Sequence, residues 1–255
     1  MDAVQSVVLG LIQGFTEFFP ISSSAHLLLF RVLFPLGEAS LSLDVLLHAG
    51  TWVAVLLAFS PVLSRVLRNP AILGKVLIAT IPAGIFGYLF EEKVEEVFRG
   101  NLVVVSIVLI LVGFIFLFAR ERQSKTLETM TVWDALLVGM LQVLALIPGV
   151  SRSGITILGG IGVGLKRTEA VFFSFLLSLT TIGGAVVLVL GRHGQEISLL
   201  QGALFGFLAA LGSGIFSCVV LLKLVREKGL APFGYYRIAV GAFFLAFLLL
   251  EGIRR

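Results

Sequence analysis

Gln13 and Glu17 stand four residues apart, so on a helix they share one face. Just beyond them, after Phe19-Pro20-Ile21, Ser22 and Ser23 precede His26 by four and three residues, a second shared face, with Ser24 between. Far along the chain, Ile147-Pro148-Gly149-Val150-Ser151-Arg152-Ser153-Gly154 sets an arginine between two serines. Hydroxyls, an imidazole, a carboxylate and a guanidinium form the set that phosphoryl chemistry uses. They offer a nucleophile, a proton carrier, a cation ligand or base, and a planar fork for phosphate oxygens. A plain Glu17–Arg152 ion pair would use two of these groups and leave the serines, His26 and the nearby helix ends without a purpose.

The elements that must position them are broken helices. Proline lacks an N–H and disfavours helix at the residue before it, whereas serine is a preferred N-cap. The apolar regions at about 2–35 and 133–165 therefore each read as a half-helix, a turn, and a second half-helix beginning at the serines. Two helix starts would then aim unpaired N–H groups, each with roughly half a positive charge, into one space suited to phosphate. Irregular backbone of this kind survives at membrane depth only inside protein or beside a wet cavity, so both regions are expected to be re-entrant hairpins.

Composition supplies the surroundings. Hydrophobic residues make up 58% of the 255 and charged residues 13%, about half the usual ~25% share of charge, and mean hydropathy is +1.08. The chain is read as an integral membrane protein, so the substrate is expected to be a phosphate carrying an apolar tail. Six apolar segments, 43–62, 71–90, 102–119, 168–190, 198–222 and 233–251, approach the roughly 20 residues that a bilayer crossing needs. The fold expected is an all-α polytopic membrane protein of six transmembrane helices plus two re-entrant hairpins. The net charge of +4 comes without a basic stripe interleaved with aromatics, which argues against nucleic acid. Cys218, the single cysteine, excludes an intrachain disulfide and a cysteine metal cluster, and reads as a packed thiol. The glycine-rich 159–164 follows no strand and reads as a helix contact rather than a dinucleotide loop. His48 reads mainly as a satisfied imidazole inside a span, with support of the site as the lesser reading. Asp44 and Glu169 read as carboxylates at helix starts.

Charge also orients the chain. Arg65, Arg68, Lys75, Arg120, Arg122, Lys125, Lys166, Arg167, Lys223, Arg226 and Lys228 gather in four connections, expected to be cytoplasmic. Both termini, and the catalytic face, are then expected outside a plasma (inner) membrane. A shift of 129 residues aligns Gly10 with Gly139, Gln13 with Gln142, Ser22 with Ser151 and Ser24 with Ser153, with Pro20 one place off Pro148. Residues 1–125 and 130–255 thus read as two inverted repeats, each a hairpin followed by three spans, together one membrane domain. Secondary transporters build midplane sites in this way.

The stretches Gln13-Gly14-Phe15-Thr16-Glu17-Phe18-Phe19-Pro20-Ile21-Ser22-Ser23-Ser24-Ala25-His26 and Pro148-Gly149-Val150-Ser151-Arg152-Ser153-Gly154 resemble the two signatures of the undecaprenyl-diphosphate phosphatase (bacitracin-resistance) family. Leu47-His48-Ala49-Gly50-Thr51, Ile81-Pro82-Ala83-Gly84, Phe173-Ser174-Phe175-Leu176-Leu177-Ser178 and Tyr236-Arg237-Ile238 extend the resemblance along nearly the whole chain. It implies hydrolysis of undecaprenyl diphosphate to the monophosphate and inorganic phosphate, dependent on a divalent cation such as Mg²⁺ or Ca²⁺, and recycling of the cell-wall lipid carrier. By the same resemblance Ser23 would be the nucleophile with Ser22 beside it, His26 the proton-transfer group, and Arg152 the clamp on the diphosphate. Glu17 would place the metal or activate the hydroxyl, with Gln13 a further ligand, and Ser24, Ser151, Ser153 and Thr156 would line the site. The family often has Glu at the place of Gln13 and Gly at that of Ala25. A transporter or flippase of polyprenyl phosphate is the alternative, alone or alongside the phosphatase. The partners expected are the polyprenyl diphosphate and membrane lipid, and small-residue helix faces are compatible with a homodimer.

Overall fold

A computed structural model describes residues 3–34, 41–98, 101–119, 124–198 and 202–254. In chain order the helices are α1 (Ala3–Phe18), α2 (Ser23–Leu33), α3 (Leu41–Ala58), α4 (Ser60–Leu67), α5 (Pro70–Phe98), α6 (Leu102–Leu117), α7 (Val132–Val143), α8 (Arg152–Gly162), α9 (Arg167–Ser198), α10 (Ala203–Lys228) and α11 (Ala231–Arg254). A 3₁₀ turn, Leu144–Leu146, extends α7. The one strand-like contact among the described residues is a parallel bridge between Lys125 and Leu165. Among the described residues, four stretches, Pro70–Phe90, Arg167–Leu188, Ala203–Lys228 and Ala231–Leu250, are long and apolar enough to cross a bilayer. The chain is an all-helical, multi-pass membrane protein.

The helices depart from the sequence reading in three places. The segment expected as one span over 43–62 is two helices, α3 and α4, bent by 75°. Pro61 explains the break: inside a continuing helix it would remove a hydrogen bond and clash with a carbonyl one turn back. In the first turn of α4 its missing N–H costs nothing. The segment expected over 102–119 is the 16-residue α6, capped by the Asn101 side chain, which accepts from Val104 N at 3.1 Å. Finally, α5 and α9 run past 90 and 190 to Phe98 and Ser198. Residues 199–201 of the expected 198–222 span, and Arg120 and Arg122, lie outside the described residues.

Glycine sets how closely the helices approach. A Cβ at Gly10 would meet the Gly206 carbonyl on α10, and one at Gly139 the Ala79 carbonyl on α5. So α1 lies tightly along α10, and α7 along α5. These small-residue faces are used within one chain. We expect Gly139→Ala to lower the midpoint of thermal unfolding in detergent, because α7 must move away from α5. Gly74→Ala has open space at its Cβ and should leave the midpoint level or raise it, since alanine is the better helix former by up to about 1 kcal/mol. Against these pairs α3 packs on both α9 and α10, and α6 on α11. Buried Phe18, Phe59 and Phe175 meet in the core, with Phe18–Phe175 ring centroids 5.4 Å apart and Phe59–Phe175 4.5 Å apart. Cys218 is buried there as a free thiol, and Gly159 and Gly160 pack against Leu141 and Ala170, both as read from sequence.

The cation-rich connections meet at one end. Arg65 of α4 donates to Glu128 from Nε at 2.9 Å and lies 3.6 Å from Glu169. Lys75 donates to the Leu127 and Glu128 carbonyls at 3.0 Å each. Lys125 pairs with Asp134 at 2.7 Å, and Arg167 reaches the Arg226 carbonyl at 3.0 Å. The Arg65 hydrogen bond holds the Glu128 carboxyl below the usual carboxylate range. Asp44 and Glu169 do sit in the first turns of α3 and α9. Each has a further partner: Asp44 takes Arg31 at 2.7 Å, and Glu169 accepts from Leu127 N at 3.0 Å.

Candidate active site at two meeting helix starts

Both second half-helices begin in the same unusual way. Ser22 caps α2 with φ 74 and ψ 96 and accepts from Ala25 N at 3.4 Å. Ser151 caps α8 with φ 75 and ψ 115 and accepts from Gly154 N at 3.1 Å. They are the two non-glycine residues with positive φ among those described, a conformation that costs free energy and persists where surroundings enforce it. The enforcement is mutual. Gly149 N donates to Ser22 Oγ at 3.2 Å, and Ser153 Oγ donates to the Glu17 and Phe19 carbonyls at 3.2 and 3.3 Å. Ser24 Oγ lies 3.2 Å from Ser22 Oγ, and Ser153 Oγ 3.2 Å from Ser151 Oγ. The turns are thereby stitched into one unit with two helix N-termini. Replacing Ser151 with glycine should destabilise the protein less than replacing it with alanine, as measured by thermal unfolding in detergent. Both lose the cap, but alanine must also hold the positive φ.

Glu17, 7% exposed at the end of α1, is the hub. Its Oε2 accepts from Gln13 Nε2 at 3.0 Å and from Ser23 Oγ at 2.7 Å. Its Oε1 is ion-paired and hydrogen-bonded to the Arg152 guanidinium. Ser23 and Arg152 are half-buried. Arg152 Nη1 has one long contact, 3.3 Å to Thr181 Oγ1 on α9, and so keeps donor capacity. The Glu17–Arg152 pair is therefore formed, but it is part of a larger set: the same carboxylate takes the Ser23 hydroxyl. A hydroxyl donating to a carboxylate is prepared to lose its proton as it attacks.

The ring of His26 finds its partners away from the Ser23 hydroxyl. Its Nδ1 lies 2.8 Å from the Ser22 carbonyl, so Nδ1 carries the hydrogen. With neutral imidazole, Nε2 then accepts from the Tyr236 hydroxyl on α11 at 2.9 Å, and the two rings stack at 5.7 Å. No hydrogen bond joins His26 to Ser23 or Glu17 among the described residues. Thr156, expected to line the site, is fully buried; its hydroxyl donates to the Arg152 carbonyl at 2.7 Å and meets Ser174 Oγ at 2.7 Å.

The family model for Bacitracin resistance protein BacA matches residues 6–243. This chain belongs to that family. It is 40% identical to an undecaprenyl-diphosphatase of Caldicellulosiruptor bescii over 99% of this chain and 100% of the relative. The corresponding enzyme of Trichlorobacter lovleyi is 40% identical over 97% of this chain and 98% of its own. That of Methanobrevibacter smithii is 38% identical over 94% and 96%.

Within this member of the family, four site residues come from positions that spacing alone did not single out. His48 on α3 donates from Nδ1 to the Asp44 carbonyl at 2.7 Å and turns Nε2 toward Glu17 Oε2 at 3.7 Å, so its lesser reading, beside the site, describes its place. Thr181 faces Arg152, and Tyr236 faces His26. Arg237, fully buried, donates to the carbonyls of Pro20 at 3.0 Å, Val150 at 3.2 Å, and Gly149. An arginine inside an apolar span is costly in lipid and demands partners; that was the sequence signal available for Arg237.

No three His, Cys, Asp or Glu side chains converge as a metal cluster among the described residues. Gln13 Oε1 is nevertheless buried without a hydrogen-bond partner, on the amide that touches Glu17. Magnesium is commonly held by one or two carboxylates with substrate phosphates and water supplying the rest. Glu17, the Gln13 carbonyl and the Ser23 hydroxyl fit that pattern.

Proposed function

We infer that this protein is an undecaprenyl-diphosphatase: it hydrolyses undecaprenyl diphosphate to undecaprenyl phosphate and inorganic phosphate. The observation that carries the chemistry is the 2.7 Å hydrogen bond from Ser23 Oγ to Glu17 Oε2, at a carboxylate also bound to Arg152 beside two helix starts. In the reaction proposed, Ser23 Oγ attacks the terminal phosphorus and its proton passes to Glu17. The anhydride P–O bond breaks, and the lipid monophosphate leaves with the bonding electrons. Water then opens the phosphoserine ester, Glu17 returns the proton to the departing Ser23 oxygen, and the remaining proton of water goes out with inorganic phosphate. Arg152 and the two helix starts hold the phosphate oxygens and oppose their developing charge. A divalent cation, Mg²⁺ or Ca²⁺, held by Glu17 with Gln13 and Ser23, would neutralise further charge on the diphosphate. His26, bonded to Ser22 and Tyr236, is assigned to keeping the first turn in shape.

The proposed topology has six crossings, formed by α3, α5, α6, α9, α10 and α11, with α1/α2 and α7/α8 entering and turning back. The two halves, 1–125 and 130–255, are read as inverted repeats. What supports this is the recurrence of elements at an offset of 129 residues: α2 at 23–33 against α8 at 152–162, and α6 at 102–117 against α11 from 231. The matching φ values of Ser22 and Ser151 support it too. With the cationic end in the cytoplasm, both termini and the catalytic face lie outside the plasma membrane.

The test is phosphate release from undecaprenyl diphosphate by purified protein in detergent, with Mg²⁺ or Ca²⁺, with EDTA, and with Arg152→Ala. Release that needs metal and is lost in the folded variant is expected. No release by folded, metal-supplied wild-type protein would overturn the assignment.

A further inference from the structure

The ionised side chains beside Ser23 largely offset one another. Glu17 and Arg152 cancel each other, and Arg31 is cancelled by Asp44. Arg237 differs. It is fully buried, and none of the ion pairs among the described residues includes it. Its guanidinium stays protonated in proteins, and its partners are backbone carbonyls and the face of Phe116, whose ring centroid lies 5.2 Å from Cζ. Its Nε has no partner.

The carbonyls it binds belong to both turns: Pro20 two residues before the cap of α2, and Gly149 and Val150 just before the cap of α8. Of the three peptides whose oxygens face Arg237, the Ile21 and Val150 N–H groups donate to the Phe19 and Ile147 carbonyls, and the third N–H is that of Ser151, the cap of α8. A cation held on carbonyls of both turns raises the positive potential around them. In a low-dielectric interior such a charge acts over several ångströms with little screening. A buried arginine without a carboxylate is costly for a membrane protein; its cost is offset when an anion occupies the site.

We propose that Arg237 is an electrostatic positioning residue: held by the carbonyls of both turns, it supplies the uncompensated positive charge that draws the diphosphate to the paired helix starts without touching it. This rests on the phosphatase reading for the identity of the anion. The distinctive consequence is a dependence on ligand charge. A residue that only held the turns together would affect every ligand alike, whereas a charge acts most on the diphosphate, less on the monophosphate product, and not on the neutral lipid alcohol.

The experiment compares wild-type protein with Arg237→Lys, which keeps the charge but loses the fork, and Arg237→Gln, which loses the charge. It reads kcat and KM for undecaprenyl diphosphate, inhibition by undecaprenyl phosphate and by undecaprenol, and the thermal shift produced by inorganic diphosphate. Arg237→Gln should raise KM about tenfold or more, weaken monophosphate inhibition less, and leave undecaprenol inhibition and kcat within about threefold. Arg237→Lys should keep diphosphate affinity within about threefold of wild type. Equal weakening of all three ligands, or a lysine variant as impaired as the glutamine variant, would overturn the proposal. If Arg237→Gln does not fold, Arg237→Lys decides: retained diphosphate affinity supports the charge role, and a uniform loss across ligands overturns it. The thermal shift separates the two claims. Wild-type protein whose inorganic diphosphate shift is lost in Arg237→Gln, yet which releases no phosphate from the lipid, would sink the phosphatase reading and leave this one standing.

Discussion

Glu17→Gln is expected to lower kcat for undecaprenyl diphosphate by about a thousandfold, with a smaller change in KM. The carboxylate takes the Ser23 hydroxyl at 2.7 Å, and a positioned base contributes on the order of 10²–10⁴ in rate. Glutamine preserves the shape but cannot accept the proton. The same change leaves the Arg152 guanidinium without its counter-ion at a site where both side chains are largely buried, 15% and 6% exposed. Breaking a buried pair from one side costs about 3–5 kcal/mol. Glu17→Gln should therefore also lower the midpoint of thermal unfolding in detergent. Glu17→Asp, which keeps the charge on a shorter arm, should recover most of the stability and little of the rate. Turnover by folded Glu17→Gln within about tenfold of wild type would remove Glu17 from the role of base.

The second large effect belongs to Arg152. Arg152→Ala removes the guanidinium that pairs with Glu17 and has donors left for phosphate, and should reduce kcat/KM by about a hundred- to a thousandfold. Arg152→Lys should restore only part, because an ammonium cannot present two parallel donors to phosphate. The combined Glu17→Gln, Arg152→Ala variant separates the pair's two contributions. Stability should be higher in the double variant than the sum of the single losses predicts, since no buried charge is left alone. Activity should be no lower than in the worse single variant, as expected for groups that act as a unit. Additive losses in both measurements would show that Glu17 and Arg152 work independently, against the geometry described.

Much of this site can be read from the chain because its parts are local. Pro20 and Pro148 break the apolar runs, the serines begin new helices, and Gln13 and Glu17 fall on one face of α1. What spacing does not carry is contact across the fold. His26 is bonded to Tyr236, 210 residues away, and Pro20 to Arg237, 217 residues away. With α11 unplaced, His26 is a free imidazole beside the nucleophile; once placed, its ring is engaged on both nitrogens. His48 shows the same limit: an apolar span suggests packing, and only the position of α3 beside α1 turns its Nε2 toward Glu17. The bend between α3 and α4 is different, because its cause is local. Pro61 is visible in the sequence, but the apolar residues on both sides mask the restart it forces.

The most direct measurement is phosphate release from undecaprenyl diphosphate by Ser23→Ala beside wild type, both shown to be folded by thermal unfolding in detergent and supplied with Mg²⁺ or Ca²⁺. With Ser23 as nucleophile, the variant should lose about a thousandfold or more in kcat while still binding inorganic diphosphate. Turnover near the wild-type rate would show that Ser23 is not the attacking group, and would contradict the chemistry built on its hydrogen bond to Glu17.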